Sequence, residues 1–264
     1  MKIGFIGMGN MAKAMIGGIL AKGKAAKEDI IGSAKTEATR KEMAGRYGIR
    51  TEADNREVAK VSDLLVLAVK PQFFEEVISQ IRKDVRDETI VVSIAAGRTI
   101  EGIEGMFGRK LKLVRCMPNT PALVGEGCSG VCRSELVTEE EMAQCMELVE
   151  SFGLAREVPE RLINAVSGVS GCSPAYVFLF IEALADGAVA AGMPRAQAYT
   201  FAAQAVMGSA KLMLETGKHP GELKDMVCSP AGTTIEGVRV LEERGFRGAV
   251  MDAVKASVEK AENM

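Results

Sequence analysis

The first dozen residues constrain the fold more than any other stretch of the chain. Met1-Lys-Ile-Gly-Phe-Ile-Gly-Met-Gly-Asn-Met-Ala12 sets a short apolar strand directly against a glycine-spaced turn and a helix start. Ile3, Phe5 and Ile6 are β-branched or aromatic strand residues, Gly7-x-Gly9-x-x-Ala12 follows at once, and a helical stretch over 11–22 lies behind it. Gly7 permits the tight turn, Gly9 lets a phosphate approach the backbone, and Ala12 allows close packing of helix on strand. The first N–H groups of the helix and its dipole then favour an anion. This context predicts a dinucleotide pyrophosphate at Gly7, Gly9 and the helix start. A purely structural β–α turn is the alternative reading.

The second strand discriminates between nucleotides. Ile30-Ile31-Gly32 reads as that strand, and Ser33-Ala34-Lys35-Thr36 stands at its carboxyl end, with Arg40 one helical turn further on. A site for NAD usually places an Asp or Glu there to accept from the ribose 2′-OH, whereas a 2′-phosphate takes hydroxyls and cations. Glu28 and Asp29 precede the strand and lie at its wrong end. Ser33 and Lys35 therefore point to NADP, with ordinary solvated helix charges as the alternative account of Lys35 and Arg40.

Length and composition exclude several classes. A chain of 264 residues holds one large or two modest domains. Its 47% hydrophobic and 26% charged residues describe a globular protein, and a net charge of −2 without a Lys/Arg block argues against nucleic-acid binding. The start enters a strand with no basic leader ahead of an apolar run, so a cytoplasmic protein is expected. Residues 175–191 form the most apolar long segment, but Glu182 and Asp186 interrupt it, so it reads as a buried helix short of a membrane span. Six cysteines without a CxxC pair or zinc spacing read as reduced thiols, and no metal site is expected. The single histidine, His219, precedes a proline and reads as a structural loop residue. Any chemistry here is expected to run without an imidazole relay, unless His219 acts alone.

Past the second strand the pattern keeps alternating. A polar helix over 37–47 and a short strand near Ile49 precede Asp63-Leu-Leu-Val-Leu-Ala-Val69, a buried parallel strand by composition. Pro71 opens a helix over 73–82, followed by a strand over 89–94, a helix over 100–106 and a strand over 112–117. A further strand over 125–132, an amphipathic helix over 139–151 and a last strand over 154–158 complete the half. The rhythm implies an α/β, Rossmann-like, doubly wound parallel sheet over residues 1–158, with the boundary near Pro159. From there strand patterns vanish, and residues 159–264 read as an all-helical domain. Its two long alanine-rich helices, over 173–192 and 194–215, exceed what the remaining chain can cover. Apolar faces left open in this way predict at least a dimer.

Ligands of doubly wound folds sit outside the carboxyl ends of the strands. Ala68-Val69-Lys70-Pro71, Ser93-Ile-Ala-Ala96-Gly97 and Met117-Pro-Asn-Thr-Pro121 belong there, and their shared position favours a nicotinamide pocket over three plain connections. Cys228-Ser-Pro-Ala-Gly-Thr-Thr-Ile-Glu236 is the other candidate. Ser229, Thr233 and Thr234 supply hydroxyls, Gly232 frees backbone N–H groups, and a helix starts there. Such a loop binds a small carboxylate without an arginine, or serves as a plain N-cap. Glu182 and Asp186, four apart on one helix, are read as residues with partners in the bundle rather than an acid/base pair.

In this order the motifs resemble the delta-1-pyrroline-5-carboxylate reductase family over nearly the whole chain. The resemblance rests on Gly4-Phe-Ile-Gly-Met-Gly-Asn-Met11, Leu67-Ala-Val-Lys-Pro71, Arg115-Cys-Met-Pro-Asn-Thr-Pro121, Ser173-Pro-Ala-Tyr176 and, above all, residues 223–238, Leu-Lys-Asp-Met-Val-Cys-Ser-Pro-Ala-Gly-Thr-Thr-Ile-Glu-Gly-Val. It implies reduction of the cyclic imine pyrroline-5-carboxylate to L-proline with NADPH, sometimes NADH, as the last step of proline biosynthesis. It also implies a helical C-terminal dimerisation domain, often assembled into rings of dimers. Carried over by residue, Met8, Asn10 and Met11 line the pyrophosphate, and Ser33, Lys35 and Asn55 meet the ribose and its phosphate. Ala68, Val69, Lys70, Pro71 and Ala96 flank the nicotinamide side. Ser229, Gly232, Thr233 and Thr234 hold the substrate carboxylate, Glu160 lies near the substrate, and Thr234 is the hydroxyl nearest the ring nitrogen.

Two departures bear on the loop: Ala231 replaces the more usual first glycine, and Cys172-Ser173 stands where a glycine-bearing run is common. A reductase of 3-hydroxy acids and a non-catalytic NADP-binding sensor are the competing classes. The first would call on Lys211 or Lys218, the obvious lysines of the long helices.

Overall fold

The computed structural model describes residues 1–263. Eight strands form one sheet: β1 (Ile3–Ile6), β2 (Ile30–Ser33), β3 (Arg50–Glu52), β4 (Leu64–Leu67), β5 (Ile90–Ser93), β6 (Leu113–Met117), β7 (Gly127–Arg133) and β8 (Gly153–Glu157). Their order is β3-β2-β1-β4-β5-β6-β7-β8, so the chain reverses its winding between β1 and β4. That reversal opens a crevice at the carboxyl ends, where the Gly7 turn emerges. Between the strands run α1 (Asn10–Ala21), α2 (Glu37–Tyr47), α3 (Asn55–Val61), α4 (Phe74–Ile81), α5 (Ile100–Phe107) and α6 (Glu139–Val149).

Alternation along the strands divides the core. Ile3, Phe5, Leu64 and Val66 pack with Met15, Ile16 and Ile19 of α1 and Met142 and Leu148 of α6. Ile6, Leu65 and Leu67 pack instead with Val58 of α3, Phe74 and Ile78 of α4 and Ile103 of α5. Successive side chains point to opposite faces, so strands apolar at every position must be covered on both sides. The all-parallel expectation needs one correction, because β7 runs antiparallel to β6 and β8 then runs parallel to β7. Residues 118–126, with a 3-10 turn over Thr120–Val124, are too short for a parallel crossover. The sequence reading also missed α3, whose start is capped by the Asp54 side chain accepting from Arg56 N.

Three thiols are sealed into this half. Burial pushes Cys116 and Cys145 up to about 12 and Cys132 up to about 11. Folding therefore holds three protons that the unfolded chain releases near pH 9. Stability is complete below that pH and falls as pH rises towards 11–12, by up to about 1.4 kcal/mol per pH unit for each thiol. Urea midpoints measured from pH 8 to 10.5 should decline, and the slope should shrink in a Cys116→Ala, Cys145→Ala double variant. Equal slopes would refute this origin.

The chain divides into two compact units, one comprising Met1–Cys172 with the last residues from Ser257, the other Ser173–Ala256. The first continues past the expected boundary at Pro159. Ile163 of the short helix α7 (Ile163–Val166) is buried and packs with Met117 and Cys132, which binds residues 160–172 to the sheet.

The second unit is helical: α8 (Ser173–Ala190), α9 (Arg195–Thr216), α10 (Pro220–Val227), α11 (Thr233–Glu243) and all but the end of α12 (Phe246–Glu262). The expectation of a buried helix at 175–191 is corrected within the single chain. Ala185 is the buried residue of α8, and Ala198 and Ala202 are those of α9. Phe178 is 65% exposed and Leu214 77%. The helical stretch Glu160–Ala190 is longer than the sequence suggested, because a π turn at Ser167–Gly171 joins α7 towards α8. With an 18-residue window of mean hydropathy 1.4, it is long and apolar enough to cross a membrane by length and composition alone. Asp186 pairs with Arg195, as expected of a bundle residue, and Glu182 is exposed.

Candidate active site

The crevice of the first unit is a cleft of about 540 Å³ at the carboxyl ends of β1 and β2. Gly7, Met8, Gly9, Ser33, Lys35, Asn55 and Val69, all expected at a nucleotide, line it. Gly7 has φ +90, and a Cβ there would lie 2.7 Å from the carbonyl oxygen of Ala68. Only glycine takes that turn without strain. Gly9 differs: a Cβ there meets nothing within 4 Å. The space above Gly9 is what close approach of a phosphate requires. Gly9 also serves as N-cap of α1 with no side-chain bond, so no side chain competes for the first N–H groups of the helix.

At the far end, Ser33 Oγ donates to Asn55 Oδ1 at 2.8 Å, and Asn55 Nδ2 donates to Gln80 Oε1 at 2.8 Å. Arg40 Nη1 donates to the carbonyls of Ala34 (2.7 Å) and Lys35 (3.2 Å), fixing the backbone that carries the Lys35 ammonium. Arg40 is thus neither a free surface charge nor a lining residue; it braces the loop. Residues 33–36 carry no carboxylate, and among the cleft's lining residues Lys35 is the cation and Glu76 the carboxylate. Hydroxyls, amides and an ammonium at the end of β2 fit a 2′-phosphate, and the open backbone at Gly9 fits a pyrophosphate. NADP suits this donor set.

Other expected residues lie outside this lining. Asn10 begins α1 on the surface, and Met11 packs against the core. Ala68 N bonds Ile6 O, and Lys70 caps the 3-10 turn Pro71–Phe73. Ala96 sits in the loop after β5, and Arg98 of that loop donates to Pro71 O at 3.2 Å, tying two strand-end loops together. Conversely, the sequence reading missed a whole wall: Phe73, Glu76, Val77 and Gln80. Their three- and four-residue spacing puts them on one face of the α4 segment, a signal available in the sequence.

Glu160 is held firmly. Its Oε1 accepts from Arg115 Nη1 at 2.6 Å and from the backbone N of Ile100, at the start of α5, at 2.7 Å. Arg115 is 4% exposed, so this carboxylate neutralises a buried guanidinium. We expect Glu160→Ala to cost about 2 kcal/mol in urea denaturation, less than a fully buried pair because Glu160 is half-exposed. Glu160→Gln, which keeps an acceptor, should cost less. No loss in either variant would show the pair to be idle.

In the second unit, the loop from Cys228 to Gly232 joins α10 to α11. Gly232 N donates to Ser229 O at 3.0 Å, and Ala231 holds φ 55, the left-handed region that the family's glycine would occupy without cost. An alanine there costs about 1–2 kcal/mol. Gly232, rather than Ser229, Thr233 or Thr234, holds the N-cap position of α11, and no side chain caps it. His219 caps α10 through Nδ1, which accepts from Gly221 N at 3.1 Å, so its role is structural.

Known proteins match this arrangement half by half and as a whole. Residues 2–97 match the family described as NADP oxidoreductase, coenzyme F420-dependent, and residues 160–264 match pyrroline-5-carboxylate reductase dimerisation. Pyrroline-5-carboxylate reductase of Escherichia coli K12 is 51% identical over 263 residues, covering 100% of this chain and 98% of that protein. The structure of a pyrroline-5-carboxylate reductase from Coxiella burnetii superposes with TM-score 0.92 at 32% identity, covering 99% of this chain and 97% of that one. A Plasmodium falciparum pyrroline carboxylate reductase with NADP bound gives TM-score 0.90 at 32% identity over the same shares. With one relative identical at half of all positions from end to end, and a dimerisation domain matched through the C-terminal helices, the chain belongs to the pyrroline-5-carboxylate reductase family.

Proposed function

We infer that this chain is an NADPH-dependent oxidoreductase that reduces 1-pyrroline-5-carboxylate to L-proline, with NADH as an alternative reductant, in the last step of proline biosynthesis. The cofactor, when bound, supplies a hydride to the imine carbon, and a proton completes the ring nitrogen. The protein's work is to hold and orient two small molecules and keep water away. In the first unit, Gly7, Met8, Gly9, Asn10 and Met11 take the pyrophosphate end, Ser33, Lys35 and Asn55 the 2′-phosphate end, and Ala68 to Pro71 with Ala96 the nicotinamide end. In the second, Ser229, Gly232 and Thr233 hold the substrate carboxylate at the start of α11. Thr234 presents its hydroxyl to the ring nitrogen. Glu160, whose Oε1 accepts from Arg115 and from Ile100 N, is assigned to the substrate.

The observation that carries this reading is the bare start of α11: a helix of 11 residues whose N-cap is a glycine without a side-chain bond, flanked by three hydroxyl residues. A small carboxylate satisfies such N–H groups. Against a 3-hydroxy acid reductase, Lys211 and Lys218 are both engaged in exposed i,i+4 ion pairs, with Glu215 and Glu222.

For organisation we assign residues 1–158 to nucleotide binding and 159–264 to substrate binding and dimerisation. The open faces of α8 and α9 belong against a second copy rather than lipid, and such dimers are the unit from which a ring is built. The setting we assign is the cytoplasm. NADPH oxidation on adding pyrroline-5-carboxylate, followed at the nicotinamide absorbance, tests the activity. A purified, NADP-binding chain that leaves the imine unreduced would overturn it.

A further inference from the structure

We propose that Gln80 is a specificity-determining residue for the cofactor, acting through Asn55 to present hydrogen-bond donors at the 2′-position. This rests on the NADPH reading above and extends it to a residue outside the glycine turn and the end of β2. Gln80 is the penultimate residue of α4, a helix that contributes none of the family motifs quoted above, yet it lines the same cleft as Ser33, Lys35 and Asn55.

The argument runs through proton bookkeeping along three side chains. Ser33 Oγ is buried and gives its only proton to Asn55 Oδ1, so Ser33 offers lone pairs alone. Asn55 gives one amide proton to Gln80 Oε1, which turns the Gln80 carbonyl inward to Asn55. Apart from the lone pairs of fully buried Ser33, the protons left over are the second Nδ2 proton of Asn55 and both Nε2 protons of Gln80. Beside the Lys35 ammonium these are all donors, and a phosphoryl group is all acceptors. The relay can also invert, because a serine hydroxyl accepts as readily as it donates. Inverted, Gln80 would turn its carbonyl outward, which suits a ribose 2′-OH and opposes a phosphate. The residue at position 80 fixes which state is favoured: a glutamate keeps the bond to Asn55 but places a carboxylate where donors stood.

Binding without turnover is the direct test. Isothermal titration of the full-length protein with NADP⁺ and with NAD⁺ should show Gln80→Glu weakening NADP⁺ at least tenfold while NAD⁺ changes less than threefold. Gln80→Leu, which removes the bond but adds no charge, should weaken NADP⁺ by about threefold. Combined with Ser33→Ala, its effect should be less than additive, because both act on the Asn55 amide. Equal shifts for the two nucleotides, or an unchanged NADP⁺ affinity in Gln80→Glu, would overturn the assignment while leaving the NADPH reading intact. A wild-type protein that binds NAD⁺ more tightly than NADP⁺ would overturn the cofactor reading and this assignment with it.

Discussion

Gly9→Asp should abolish NADPH binding without disturbing the fold. Gly9 has φ −78 and ψ −171, an extended conformation open to any residue, and a Cβ there meets no atom within 4 Å. An aspartate therefore costs the native chain almost nothing and fills the space above the helix start with a negative charge. Two like charges about 4 Å apart at a protein surface repel by up to about 4 kcal/mol, so a loss of at least 100-fold in affinity is expected. Titration with NADP⁺ measures it, and an unchanged melting temperature shows that the fold is spared. Gly7→Ala is the contrast, since its Cβ would press on the Ala68 carbonyl at positive φ and unfold the turn itself. If both variants bind NADP⁺ as the wild type does, the nucleotide lies elsewhere.

Thr234→Ala should lower kcat/KM for pyrroline-5-carboxylate by about 100-fold, the lower end of what a positioned proton donor contributes. Thr234 is the second residue of α11, is exposed, and lies beyond an N-cap that uses no side chain. Its hydroxyl is therefore spared from capping, and removing it spares the helix. Affinity for NADP⁺ should stay within twofold, because the reading above assigns the nucleotide to other residues. Thr234→Ser should restore most of the rate by returning the hydroxyl. Equal losses for imine and nucleotide would mark the loop as structural.

How far the sequence reached depends on which interaction decides each element. The β1 turn was legible because glycine spacing and strand composition are local, and β4 because a strand apolar at every position has no other soluble use. The direction of β7 was not, since composition is blind to strand polarity; the nine-residue link over 118–126 held the clue. Asp54 capping α3 was a readable start signal that was passed over. In the cleft, Ser33 and Lys35 were legible at the end of β2 and Asn55 through the family resemblance, whereas Glu76 and Gln80 offered only a shared helical face. They reach the cleft from a helix whose register against the sheet is set by Phe74, Val77, Ile78 and Ile81, the residues it buries. The ion pair of Glu160 with Arg115 was hidden as well, because Arg115 lies 45 positions away and reads in sequence as a strand residue before the Met117-Pro-Asn-Thr motif.

The bareness of α8 and α9 makes dilution act as a denaturant. Helices of 18 and 22 residues that keep three alanines out of water between them hold their shape by borrowing surface from a companion. A chain on its own therefore leaves those apolar faces open to water. Melting temperature should climb with protein concentration.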